Sequence, residues 1–158
     1  MPSNATKQNR GGVWVAGQFA LLAAILLAPR RLPGVPEWPE PVRSPLGVVG
    51  LLLSLAGGAI AASGARALGH NLTPFPRPIA DGDLVQDGIY GVVRHPIYSG
   101  ILLGAFGWSL LRASTPSLLL GGLLALFFDR KARREEQWLR EQYPGYDAYT
   151  ERVRRRVW

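Results

Sequence analysis

"IYSGILLGAFGWSLLRASTPSLLLGGLLALFF", Ile97 to Phe128, contains a single charged residue, Arg112. One continuous helix over this run would be about 48 Å long at 1.5 Å per residue, far beyond a hydrocarbon core of roughly 30 Å. Arg112 and the Thr115-Pro116 pair fall near its middle, where a polar residue followed by proline marks a tight reversal. The run therefore reads as a helical hairpin of two apolar arms. Two further stretches, Gly11 to Ala28 and Pro45 to Ala65, are each about the length that crosses a bilayer. The pattern predicts an all-α integral membrane helical bundle of about four transmembrane helices. It forms a single domain over residues 1–158, with 1–66 a two-helix region and 67–158 a polar loop, the hairpin and C-terminal cytoplasmic helices.

Composition supports the membrane class, since 47% hydrophobic residues and 19 glycines in 158 do not describe an ordinary soluble core. The chain has no cysteine, which removes disulfides, thiolate catalysis and zinc-cysteine sites. His70 and His95 are its two histidines and leave little for a histidine-rich metal centre. No small-residue cleavage pattern precedes the basic end of the first apolar stretch, so that helix is expected to remain in the protein.

The formal charge of +7 would suit nucleic acid, but the basic residues stand just outside the apolar runs, as an anionic membrane surface selects. No nucleic-acid partner is expected. Arg130, Lys131, Arg133 and Arg134 follow the last apolar arm, and Arg152 to Arg156 read "RVRRR". Both clusters are expected in the cytoplasm, and with four spans so is the N-terminus carrying Lys7 and Arg10. Arg30, Arg31 and Arg43 then lie outside and obey the charge tendency poorly. Compact loops and small size suggest a prokaryotic inner membrane. Residues 1–10 are polar and read as disordered. Pro29 to Pro45 is a proline-rich connection with no evident site.

Small residues at four-residue spacing, Gly57, Ala61 and Ala65, predict close helix approach in the second apolar stretch, as do Gly100 and Gly104 in the third. Between these stretches lies "LGHNLTPFPRPIADGDLVQDGIYGVV", Leu68 to Val93, a polar, proline-rich segment too long for a simple connector and read as a functional loop. It leads into "RHPIY". Pro96 suits the first position of a helix, which places Arg94 and His95 at a helix mouth that favours a carboxylate or phosphate. The plainer alternative is an interfacial belt of arginine, histidine and tyrosine. Past the hairpin, Glu135 and Glu136 return beside that mouth. They serve either a ligand's hydroxyls or cationic group, or simple pairing with Lys131 or Arg140, worth about 0.2–0.5 kcal/mol each. A helix carrying Trp138, Leu139 and Gln142 breaks at Pro144-Gly145 and resumes at Tyr146.

"LVQDGIYGVVRHPIYSGILL" and "RREEQWLREQYPGYDAYTERV", separated by one helical hairpin, together resemble the isoprenylcysteine carboxyl methyltransferase and phospholipid methyltransferase superfamily of small membrane enzymes. The resemblance covers roughly residues 68–155. It implies S-adenosyl-L-methionine as cofactor, with Leu84, Val85 and Tyr90 walling the adenosine. It also implies that His95, Pro96 and Tyr98 hold the methionine part, that Glu135 or Glu136 reaches the cofactor, and that Arg94 at the helix mouth belongs to the cofactor-binding set. Lys131 or Arg133 corresponds to the arginine that faces the acceptor in the carboxyl methyltransferases, and is the candidate catalytic residue. The partner implied is a lipid or prenylated small molecule entering from the bilayer. Carboxyl O-methylation of an isoprenylcysteine-like acceptor is the first choice and phospholipid amine N-methylation the second. His95 serves as a cofactor-carboxylate ligand or as a general base. An NADPH-binding membrane reductase, whose family shares an arginine-histidine-proline motif, and a non-enzymatic membrane scaffold with a lipid-binding basic tail are the alternatives of other classes.

Overall fold

Proline and serine punctuate the helical part of the chain. In the computed structural model, which describes residues 11–157, Pro96 opens a helix at its first position and Ser114 caps another by accepting the Ser117 N–H at 3.3 Å. Between these signals the apolar run of Ile97–Phe128 folds back on itself as predicted. Among the described residues five α-helices result: α1 Gly12–Leu27, α2 Glu40–Leu68, α3 Pro96–Leu111, α4 Thr115–Gln142 and α5 Tyr146–Arg152. Single 3₁₀ turns at Gly69–Asn71 and Gly88–Gly91 punctuate the long loop, and no strand occurs among the described residues. The expectations for residues 1–10, disorder and a cytoplasmic Lys7 and Arg10, lie outside the described residues.

The α3–α4 turn is three residues long, and Ala113 takes a left-handed conformation with φ 49° to close it. Serines then fasten the turn to the end of α1. Ser117 donates to the Ile25 carbonyl at 3.0 Å, Ser114 to that of Pro29 at 2.8 Å, and Ser109 lies 2.8 Å from Ser117. All three serines are fully buried, so each hydroxyl satisfies a group that would otherwise be costly to dehydrate.

Helices α2 and α3 pack antiparallel along glycine. A Cβ added to Gly57 would stand 2.5 Å from the Gly100 carbonyl oxygen, and one on Gly50 would stand 2.5 Å from that of Gly107. Further along, Gly64 meets Pro96 and Ile97. The working period is seven residues, Gly50, Gly57 and Gly64 against Gly100 and Gly107, which keeps one face on the partner every two turns. Ala61 does meet Gly100 as expected, but a Cβ on Gly104 would meet nothing within 4 Å. Four-residue spacing found the right helices and half of the seam.

Helix α4 packs antiparallel to α1 and α3, around a core of Ile25, Leu102, Ala105, Leu124 and Phe128. The four long helices therefore alternate in direction, and residues 11 and 157 come to one end: Gly11 approaches Pro76, and Val157 accepts a hydrogen bond from Ser99. Along α2, Val48, Leu52 and Leu55 are largely exposed. By length and composition one helical stretch, Glu40–Asn71, is sufficient to cross a membrane. Helices α1 and α3 have 16 residues each, about 24 Å, so α1 is slightly shorter than the predicted stretch and α3 matches the short hairpin arm expected. Helix α2 begins at Glu40, ahead of the expected Pro45, because Pro45 lies in its second turn and loses only one backbone hydrogen bond.

Candidate functional site

At the end where residues 11 and 157 meet, the loop between α2 and α3, the mouth of α3 and the far part of α4 enclose a cavity of about 170 Å³. Helix α4 runs unbroken from the apolar arm into its charged half, so Lys131, Glu135 and Glu136 come back beside His95 as the hairpin requires. Of the residues singled out from sequence, Leu84, Val85, Tyr90, Arg94, His95, Tyr98 and Glu135 line this cavity.

Two carboxylates divide the work. Glu135 accepts the Tyr98 hydroxyl at 2.6 Å and faces the cavity, with His95 Nδ1 3.9 Å away. Glu136 is buried behind the wall, and its Oε1 receives Arg94 Nε at 2.9 Å, Arg156 Nε at 3.1 Å and His95 Nε2 at 3.3 Å. Burial by itself would raise the Glu136 pKa, but hydrogen bonds from His95, Arg156 and Arg94 hold it down at about 2. Its charge fixes Arg94 and His95 in place, so Glu136 positions the groups that face the cavity.

Arg156 was not among the candidate site residues read from the sequence, which took "RVRRR" for a cytoplasmic basic cluster. Instead the segment after α5 lies against the α3 mouth. The N–H groups of Arg94 and His95 donate to the carbonyls of Arg155 and Arg156 at 3.0 and 2.9 Å, and Arg94 Nη1 donates to the Val153 carbonyl at 2.6 Å. Arg156 also reaches Asp129 at 3.2 Å. Arg152 donates to Gln86 at 2.7 Å. No spacing rule links a basic residue 62 positions downstream to a helix mouth; the single hint was a basic run beyond a short helix that already faces the site.

Pro96 does its work elsewhere: it is buried against Gly64 of α2 and does not line the cavity. The two candidate cations part company. Arg133 projects into solvent, paired with Asp129 at 2.8 Å. Lys131 is buried, donating from Nζ to Gln18 Oε1 at 2.5 Å and to the Pro74 carbonyl at 3.2 Å, with Nζ 5.1 Å from the centre of the Tyr98 ring. Burial lowers its pKa, opposed by the charge of Glu135. Neither residue lines the cavity, but Lys131 touches residues that do.

The aromatic part of the wall also went unread. Tyr143 donates to the Gly82 carbonyl and Tyr149 to that of Tyr90, at 2.8 and 2.7 Å, which ties the loop to α4 and α5. Tyr146 is 1% exposed, lines the cavity, and its hydroxyl has no hydrogen-bond partner. Its pKa is raised by burial, so the group is a neutral donor without an acceptor. Tyr146 thus presents an unused hydroxyl at the cavity wall.

The sequence profile of the phospholipid methyltransferase family matches residues 46–145, and the chain belongs to that family. The matched span takes in both glycine helices, the whole loop, the hairpin and both glutamates. Among relatives, the chain is 30% identical to the cobalt-zinc-cadmium resistance protein CzcN of Cupriavidus metallidurans, over 95% of this chain and 64% of that one. It is 30% identical to the Delta(14)-sterol reductase of Mus musculus over 91% of this chain and 35% of that protein. With the protein-S-isoprenylcysteine O-methyltransferase of Schizosaccharomyces pombe the identity is 39%, over 44% of this chain and 30% of the relative. The chain thus spans less than two thirds of the length of each.

Proposed function

We propose that this chain is a membrane methyltransferase that uses S-adenosyl-L-methionine to methylate a lipidic acceptor, with a carboxylate as the preferred acceptor group. The single observation that carries the reading is the cavity that pairs an available carboxylate, Glu135, with a buried unpartnered hydroxyl, Tyr146, between apolar walls. The residues fit that cofactor. Leu84, Val85 and Tyr90 offer a face for a purine, Glu135 an acceptor for ribose hydroxyls or an ammonium group, and Arg94 and His95 donors for a carboxylate.

Charge separates this reading from the reductase alternative. The cavity brings Asp83 and Glu135 against Arg94 and His95, and Arg94 is already paired with Glu136. A ligand with a sulfonium, an ammonium and one carboxylate suits that balance. A dinucleotide with several phosphates would meet two carboxylates with few free cations.

The bound cofactor would supply an electrophilic methyl group, which passes to the acceptor oxygen as the C–S bond breaks and the sulfonium charge is neutralised. The protein's part is alignment and the exclusion of water. Glu136 holds Arg94 and His95, the aromatic wall of Tyr90, Tyr146 and Tyr149 keeps the chamber dry, and Lys131 supplies a cation beside Tyr98 where a carboxylate acceptor is to be held. A carboxylate is ionised at pH 7 and reacts without a base. An amine must first lose a proton, and with His95 Nε2 donating to Glu136 that base would have to be Nδ1, on the cavity side beside Glu135. Four spans with the cavity end in the cytoplasm complete the reading. Exposed leucines and valines on α2 and α4 then face lipid, and the short α1 and α3 are accommodated by local thinning of the bilayer.

Calorimetric titration of detergent-solubilised protein with S-adenosylhomocysteine, beside NADPH, tests the cofactor. Saturable binding of the former that Glu135→Gln weakens about tenfold is expected; binding of NADPH alone overturns the proposal. Transfer of labelled methyl to membrane lipids, followed by mild alkali, tests the acceptor. Release as methanol identifies an ester, and retention of the label identifies an N-methyl product.

A further inference from the structure

The opposite end of the bundle holds a second cavity, of about 110 Å³, between the α1–α2 loop and the α3–α4 turn. Four arginines line it, Arg30, Arg31, Arg43 and Arg112, against one lining carboxylate, Glu37. Arg31 is paired with Glu37 and Arg43 with Glu40, both at 2.9 Å. Arg30 and Arg112 have no acidic partner among the described residues. The Arg112 guanidinium is anchored, since Nη1 donates to the Leu26 carbonyl at 2.9 Å and the group lies 5.3 Å from the centre of the Trp108 ring. Yet its Nε is buried with no hydrogen-bond partner.

A buried donor on a charged group left unmet is expensive, and nothing among the described residues relieves it. An oxyanion would. Two unneutralised guanidiniums beside one cavity match a phosphate group, which arginine engages with paired N–H donors. The space is several times the ~10–15 Å³ that one water needs. Trp38 closes one side, its Nε1 donating to Thr115 Oγ1 at 2.9 Å. Exposed Leu32, Val35 and Leu111 rim the cavity. Arginine, tryptophan and exposed aliphatic residues together are what a protein presents at the level of lipid headgroups.

We propose that this far-end cavity binds a phosphate-bearing anion through Arg30 and Arg112, supplied either by a lipid headgroup of the leaflet at that end or by free phosphate. The site is separate from the cofactor cavity by the length of the bundle and stands whether or not the methyltransferase reading holds. It also gives Arg30 and Arg112 a role on the side that the charge tendency disfavours.

The test uses the solubilised full chain, titrated with short-chain phosphatidylglycerol and, separately, with inorganic phosphate, followed by native mass spectrometry and thermophoresis. One phosphatidylglycerol per chain is expected to bind saturably, and Arg30→Gln/Arg112→Gln to weaken it at least tenfold. The charge-matched control Arg66→Gln/Arg77→Gln, at the other end, is expected to change affinity less than twofold. Inorganic phosphate that saturates the same site and displaces the lipid supports a free-phosphate ligand; lipid binding that phosphate cannot displace supports a headgroup. Equal loss in the two double variants, or no saturable binding of either probe, overturns the proposal. Should the double variant fail to fold, Arg30→Gln alone, at an exposed and unpaired position, is expected to weaken binding at least threefold with an unchanged melting curve. Unchanged affinity there also overturns it.

Discussion

The two ends of this bundle are both rich in arginine and treat it in opposite ways. At the cavity end, Arg94 and Arg156 converge on one buried carboxylate oxygen of Glu136, with His95 as a third donor. At the far end, Arg30 and Arg112 have no acid to meet among the described residues. The first arrangement is complete without a ligand and fixes geometry. The second is incomplete, and its cations stand ready for something external. The same residue type thus signals a scaffold at one end and a binding surface at the other, and the distinction lies in the partners rather than in the charge count.

Removing a charge is the sharpest way to break that comparison. Glu136→Gln leaves the buried Arg94 without its carboxylate and is expected to cost about 3–5 kcal/mol in denaturant unfolding, with S-adenosylhomocysteine affinity lost alongside. A loss under about 1 kcal/mol would show that the near end is not the interlocked cluster described. Acid should reproduce part of this effect. Glu136 has a folded pKa of about 2 against a usual 4.5, so its stabilisation is whole above pH 4.5 and is lost as pH falls towards 2. The step is of order 3 kcal/mol and is absent in Glu136→Gln.

Tyr146→Phe is the next largest effect and has two signs. Deleting a buried hydroxyl without a partner is expected to raise the stability of the free protein by up to about 1 kcal/mol. Cofactor-analogue affinity is expected to fall about fivefold, and a variant that loses stability and keeps affinity would remove the hydroxyl from the site. At the far end, Arg112→Leu should change stability by less than about 1 kcal/mol, because an unmet donor disappears together with its charge. A cost equal to that of Glu136→Gln would erase the contrast between the ends. The smallest effect belongs to Arg133→Gln, under about 0.5 kcal/mol, since that side chain pairs with Asp129 in solvent.

Much of this molecule was legible because its signals are local. The hairpin followed from Arg112 and Pro116 inside one apolar run, the α3 start from Pro96, and the break before α5 from Pro144-Gly145. The cavity's loop and mouth were likewise found where the motif stands. Three features were not legible, each for a physical reason. Arg156 reads as a lipid anchor because sequence shows its charge and not the carbonyls of residues 155 and 156 that dock the segment. The glycine seam repeats every seven residues, and four-residue spacing picks out only part of it. Tyr146 reads as one tyrosine among several, since the absence of a partner is a property of three-dimensional packing alone. The proline-rich connection of residues 29–45, which shows no motif, turned out to line the far-end cavity.

The docking of residues 153–157 on the α3 mouth has a consequence for the protein's own manufacture. Arg94 and His95 leave the ribosome about sixty residues before the carbonyls that orient them. At about 5–20 residues per second, that is a wait of roughly 3–12 s during which the helices can pack while the chamber lacks one wall. A nascent chain at this stage would have its helices and an open chamber, and the chamber would be completed in a single late step, when residue 157 settles against Ser99.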